Sequence, residues 1–229
     1  MKYRMLCLLA ALSALPAFAL GGRETPGRGT VIKLGALKGP TGIGMVRVFE
    51  APPKLAAGDA LELQAVPSAD AMAAKLVAGE LDAAVLPVNL AAKLYASGVP
   101  YRLAAVVGMG MVSVVTTDPG VRTFEDLKGR ETHVAGQGAT PEYLIRTIAS
   151  ARGLDPDRDL SLAFRLPYPE IAASLVADRI SLAVLPEPFA TQALAGNPLA
   201  RVPFSLDQLW REATGRPGYP MSVLVIRDS

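Results

Sequence analysis

Residues 74–91 read AKLVAGELDAAVLPVNLA, and residues 173–190 read ASLVADRISLAVLPEPFA. At a constant offset of 99 residues, nine of the 18 positions are identical, and Leu81 faces Ile180 as a conservative match. An alanine-rich composition raises that count. The order of features does not depend on it: a helical end, a turn carrying Gly79 or Asp178, a short apolar run, a proline, then another helix start. Two ordinary βα units that look alike are one reading. Two similar α/β lobes, each holding this unit in the same place, are the preferred one.

Working outward, the chain alternates strands with helices. Val31–Leu37 reads as a strand running into the turn at 38–42, with a helix expected over 43–52. Leu61–Val66 alternates apolar and polar residues and reads as a strand. Ser68 can cap a helix over 68–78, because its hydroxyl accepts an orphan backbone N–H. Strands are expected at 83–86, 101–107, 112–117, 132–135, 161–165, 182–185 and 221–227. Helices are expected at 88–97, 140–152, 169–177 and 188–195, with a helical turn at 123–127. Strands separated by helices imply βαβ units and largely parallel sheets.

In an open α/β sheet, ligands sit beyond the carboxyl ends of strands, where loops enter helices. Four such loops carry turn chemistry: KGPTGIG (38–44), Pro87-Val88-Asn89, GQGATP (136–141) and Pro186-Glu187-Pro188. Thr140-Pro141-Glu142 is a good helix start, with Thr140 as the expected N-cap. Gly136 and Gly138 leave backbone N–H groups uncovered in front of it, where an anionic or polar group could bind. Gly39, Pro40, Thr41 and Gly42 offer similar ingredients in the other lobe. Asn89 can cap its helix or reach a ligand. Glu187 either steadies a helix dipole or contacts ligand. Tyr168 either packs the lobe or stacks on a flat ligand.

Composition closes off other chemistries. The 229 residues carry 23 Lys+Arg and 21 Asp+Glu, a net charge near +2, without the dense basic character of a nucleic-acid protein. Cys7 is the sole cysteine, so a disulfide framework is excluded. His133, the sole histidine, reads as a core or edge residue, and no metal site or cofactor is expected. Pro141 stands where a dinucleotide fingerprint needs its third glycine. Asp155, Asp157 and Asp159 lack the glycine and glutamate of a calcium loop. No GxSxG elbow is present. Arg47 and Arg201 read as surface charges.

The first residues read as an address. Lys2 and Arg4 precede an apolar run at 5–15, too short to span a bilayer, and Ala17-Phe18-Ala19 follows. Cleavage is expected after Ala19, releasing a cysteine-free chain suited to an oxidising compartment. Residues 21–30 read as a flexible leader.

From Ile32 to Arg227 the chain resembles the periplasmic substrate-binding proteins of ABC importers in the nitrate/sulfonate/taurine and thiamine-precursor group. The resemblance is carried by LGALKGPTGIGM (34–45), KLVAGELDAAVLPVNLA (75–91), FEDLKGR (124–130), GQGATPEYLIRTI (136–148) and LVADRISLAVLPEPFATQAL (175–194). It implies a two-lobed type II periplasmic-binding fold, with two mixed or parallel sheets, flanking helices and a short C-terminal end. Lobe 1 is then 30–114 plus 202–229, and lobe 2 is 115–201, with crossings at 112–117 and near 201–204. The implied role is an exported, non-enzymatic, monomeric binding protein that captures a small molecule and delivers it to an ABC permease and its ATPase. The expected contacts are Gly39, Pro40, Thr41, Gly42, Asn89, Gly136, Gln137, Gly138, Thr140, Tyr168 and Glu187. A cleft enzyme resembling those of the menaquinone pathway, or a non-transporting remnant or sensor, are the alternatives. Members of the group continue past the returning strand with further helices, whereas this sequence stops at Ser229. It is either a naturally short or interrupted gene or a fragment, and an uncovered apolar surface is expected on lobe 1.

Overall fold

A computed structural model describes residues 29–56 and 58–228. The expected leader cleavage point lies outside them. Among the described residues the strands are β1 (Val31–Leu37), β2 (Ala60–Val66), β3 (Ala83–Pro87), β4 (Tyr101–Met109), β5 (Val112–Thr116), β6 (Glu131–Val134), β7 (Ser161–Ala163), β8 (Leu182–Pro186) and β9 (Pro220–Arg227). The helices are α1 (Val46–Glu50), α2 (Ala69–Val77), α3 (Val88–Ala96), α4 (Thr140–Ala151), α5 (Tyr168–Val176), α6 (Phe189–Gly196) and α7 (Leu206–Thr214).

The strands form two sheets. The first has the order β2-β1-β3-β9-β4 and the second β5-β8-β6-β7. The two repeat windows occupy matching positions in them. β3 lies between parallel β1 and antiparallel β9, and β8 lies between parallel β6 and antiparallel β5. The sheets are therefore mixed: a chain that crosses between lobes must enter each sheet against the direction of the βα units.

The crossings are short. Met109 ends β4, Gly110 and Met111 turn with φ of 64° and 73°, and Val112 begins β5. The return runs through Tyr219 into Pro220, and Gly110 N–H donates to the Tyr219 carbonyl at 3.0 Å. The sheets thus divide the chain at 109–112 and 219–220. Residues 112–114 and 206–214, expected with lobe 1, lie on the second sheet and against its helices. Arg201, expected as a surface charge, is half-buried. Its guanidinium donates to the carbonyls of Asp118 at 2.8 Å and Val121 at 2.7 Å, and its backbone bridges to Thr116.

Local chemistry explains most element ends. The Ser68 hydroxyl caps α2, accepting from Ala71 N–H at 3.2 Å. Thr123 and Asp126 form a capping box on the turn at 124–127. α7 was not among the expected helices, although Ser205 caps it by accepting from Gln208 N–H at 3.2 Å and Gly215 ends it. The helix expected over 43–52 is instead a 3₁₀ turn over Pro40–Met45 followed by the short α1. Pro40 has no N–H to give, and Gly42 N–H closes back on the Gly39 carbonyl at 3.1 Å, three residues away.

Candidate functional site

The carboxyl ends of β1 and β3 and the start of β9 face the carboxyl ends of β6 and β8 across the two crossings. On the first lobe, Gly39 is exposed, and Pro40, Thr41 and Gly42 are half-buried. A Cβ on Gly42 would stand 2.2 Å from the Leu37 carbonyl oxygen, so no larger residue fits that turn without moving backbone. Asn89 does not cap α3. Pro87 occupies that position, and Asn89 lies one residue inside the helix. Its side chain points the other way: Nδ2 donates to the carbonyl of Gly138 in the second lobe at 2.8 Å. Two of the expected contact loops, 49 residues apart, are thereby joined directly.

On the second lobe, Gly136, Gln137 and Gly138 are exposed. Gly138 has φ of +75°, a region that L side chains rarely adopt, so the loop depends on glycine there. Thr140 is not the N-cap of α4. That place belongs to Ala139, which has no side-chain cap to offer. The Glu142 carboxylate reaches back past the helix start, and its Oε2 accepts from Gly138 N–H at 2.6 Å. Its Oε1 accepts from Arg146 Nε at 2.7 Å, and Arg146 reaches on to Asp157 at 2.7 Å. Glu142 is 6% exposed, so this is a buried, paired carboxylate. The helix start expected to attract an anion therefore already holds a negative charge of its own. Thr140 Oγ1 is buried without a hydrogen-bond partner, as is Asn89 Oδ1.

The remaining expected residues are satisfied locally. Glu187 Oε2 accepts from the Thr191 hydroxyl at 2.7 Å and from Thr191 N–H at 3.2 Å, within its own helix start. Its backbone N–H donates to the Met111 carbonyl at 2.8 Å, tying the loop to the first crossing. Tyr168 stacks on Phe189, with ring centroids 5.7 Å apart and planes at 17°. Burial pushes the Tyr168 hydroxyl up to about 12. The structure thus brings Asn89 to Gly138 and Tyr168 to Phe189, while Glu187 turns to its own helix. Glu142 and Ser222 were not among the expected site residues. Glu142 at the third position of its helix was the available signal. Ser222 gave none, since its place between Pro87 and Gly108 is a matter of register.

Two cavities lie away from these loops. One is an apolar groove of about 290 Å³ on the first lobe, lined by residues that include Leu76, Leu86, Val88, Leu94, Tyr101 and Leu103. The other is a polar hollow of about 760 Å³ at the opposite end of the second sheet, lined by Arg130, Glu131, His133 and Arg165 among others. Arg130 pairs with Asp118 and Arg165 with Glu131, so its charges are largely spent on each other. Burial pulls the His133 imidazole below its ordinary value, with Glu131 opposing. Among the described residues no His/Cys/Asp/Glu group is arranged to hold a metal ion, and no helix is long and apolar enough to cross a membrane.

Against known proteins, the model of the NMT1-like family matches residues 53–228. An ABC transporter structure from Parabacteroides distasonis is similar at 30% identity and a TM-score of 0.72, over 87% of this chain and 66% of that one. The periplasmic aliphatic sulphonate-binding protein SsuA of Escherichia coli shares the fold at 15% identity and a TM-score of 0.66, over 86% and 65%. The periplasmic nitrate-binding protein NrtA of Synechocystis PCC 6803 does so at 17% and 0.60, over 87% and 56%. The chain therefore spans just under two thirds of the first two. A search of curated proteins gives no match.

Proposed function

The chain belongs to the NMT1-like family, and from that premise we propose that it is a solute-binding protein. It captures a small molecule between its two lobes and presents it to the permease and ATPase of an ABC importer. The lobes are proposed to meet at the crossings at 109–112 and 219–220, in place of the expected bounds of 30–114 plus 202–229 and 115–201. The chain is exported as a monomer to the periplasm, with its leader cleaved after Ala19. The ligand meets Gly39, Pro40, Thr41 and Gly42 from one side and Gly136, Gln137, Gly138 and Thr140 from the other. Asn89 lies between them, and Tyr168 and Glu187 stand at the margin. No covalent chemistry is required of any of these groups. Affinity comes from desolvation as the lobes close and from a few oriented hydrogen bonds.

The observation that carries this reading is the Asn89 to Gly138 hydrogen bond, because it joins the two loops that a closing cleft would bring together. Native mass spectrometry of residues 20–229 from a periplasmic extract is the test. A discrete small-molecule adduct, lost on denaturation, is expected. A folded monomer that acquires no adduct from a broad solute pool would sink the reading.

A further inference from the structure

Among the described residues five buried side-chain atoms lack a hydrogen-bond partner, and two of them flank the one hydrogen bond that Asn89 makes across the cleft. Asn89 Nδ2 is spent on the Gly138 carbonyl. That contact fixes which end of the amide is which, so the idle atom is Oδ1, an atom that can only accept. Two residues beyond Gly138 lies Thr140, the first helical residue of α4 rather than its N-cap, and its Oγ1 is idle. A third idle atom, Ser222 Oγ, belongs to a residue 2% exposed and paired in register with Pro87, two positions before Asn89.

We propose that Asn89 is a two-sided latch: its Nδ2 clasps the second lobe through Gly138, and its Oδ1, with Thr140 Oγ1, is reserved for the ligand. Resting on the solute-binding reading, this names how closure is controlled. Closing an empty cleft makes one new hydrogen bond and leaves two buried polar atoms without a protein partner. Closing it on a ligand that reaches both makes all three contacts. The latch therefore holds firmly only when a ligand is present. It also names the ligand's chemistry at this point. The group that meets Oδ1 must bring an N–H or O–H. A fully deprotonated oxoanion offers only acceptors there, and the neighbouring helix start already carries the Glu142 carboxylate on its Gly138 amide.

The test measures the distance between the lobes in the unliganded protein. After leader removal the chain has no native cysteine, so Val77→Cys and Leu199→Cys, both at exposed positions on opposite lobes, can carry the two labels. Thr140→Val removes a stranded hydroxyl at constant shape and is expected to raise the closed-to-open ratio about tenfold. Thr140→Ser keeps the hydroxyl and should match the parent protein. Asn89→Asp replaces the donor with a charge facing the Gly138 carbonyl and is expected to lower the ratio at least ~10-fold. Urea unfolding of each variant separates these effects from loss of fold. Unchanged distributions in both Thr140→Val and Asn89→Asp overturn the latch. A bound solute lacking any N–H or O–H group overturns the donor assignment while leaving the binding function standing. A protein that binds no solute, yet responds to these variants as stated, refutes the function and the ligand side of the latch and keeps only the clasp between Asn89 and Gly138.

Discussion

The two lobes are built from the same unit, yet they finish their cores differently. In the second, α5 and α6 cover one face of the sheet, and α4 with α7 covers the other. Every residue of β8 is buried. In the first, α2 and α3 lie on one face, while the other is covered by the turn at 40–45 and the five-residue α1. β3 is buried only at its centre, α3 buries no residue fully, and edge strand β4 leaves Leu103 57% exposed. Tyr95 stands 73% exposed beside the groove. The lesson is that a duplicated sequence pattern specifies a strand and its neighbours, whereas burial depends on what else is laid against them. An apolar groove lies beside α3 and β4. The chain spans just under two thirds of the solved ABC transporter structure and of the sulphonate-binding protein that it resembles.

The sharpest way to test this contrast uses equivalent positions of the repeat. Leu76 and Leu175 correspond, and both are buried, but Leu76 lines the groove. Leu175→Ala is expected to cost about 3–5 kcal/mol and Leu76→Ala nearer ~2 kcal/mol, because side chains beside an open groove can relax into the space. Urea unfolding measures both, and equal costs would erase the distinction between the lobes. Next in size is Glu142→Ala, which removes the partner of the Gly138 amide and one of the two carboxylate partners of Arg146. A loss of about 1–3 kcal/mol is expected, with faster amide exchange over 136–140.

A smaller effect separates the lobes by pH. His133 is the only histidine, and it lies in the second lobe. Its folded pKa is depressed by burial, so its contribution to stability is present above the ordinary histidine value of 6.5 and is lost as pH falls through the lowered one. The slope cannot exceed the one-proton limit of ~1.4 kcal/mol per pH unit. His133→Leu should flatten stability across that window, and an unaltered slope would assign it to carboxylates instead. Smallest is Leu103→Glu, on the open edge of the first lobe. It should change unfolding free energy by less than about 0.5 kcal/mol while reducing binding of an apolar dye to the groove.

Much of this protein was legible without coordinates. The repeat at 74–91 and 173–190, the strand-to-helix order and the Ser68 cap follow from periodicity, proline placement and side-chain chemistry, all of which act within a few residues. The same local rules located the loops at 38–44, 87–89 and 136–141. They put the N-cap of α4 at Thr140, whereas Ala139 holds it, because the turn that closes Ala139 N–H on the Gly136 carbonyl decides where the helix starts. They missed α7, whose Ser205 start and Gly215 end were readable, because its single-faced pattern follows a proline-rich stretch. They could not show that Asn89 reaches Gly138, that Tyr168 is already stacked on Phe189, or that Arg201 holds the 118–121 turn. Those contacts join segments between 21 and 83 residues apart. Sequence determines which residues can form a turn, a strand or a cap, since those choices are settled by neighbours along the chain. Which polar atoms end up paired, and which stay free between two lobes, is settled only when distant segments compete for the same hydrogen bonds.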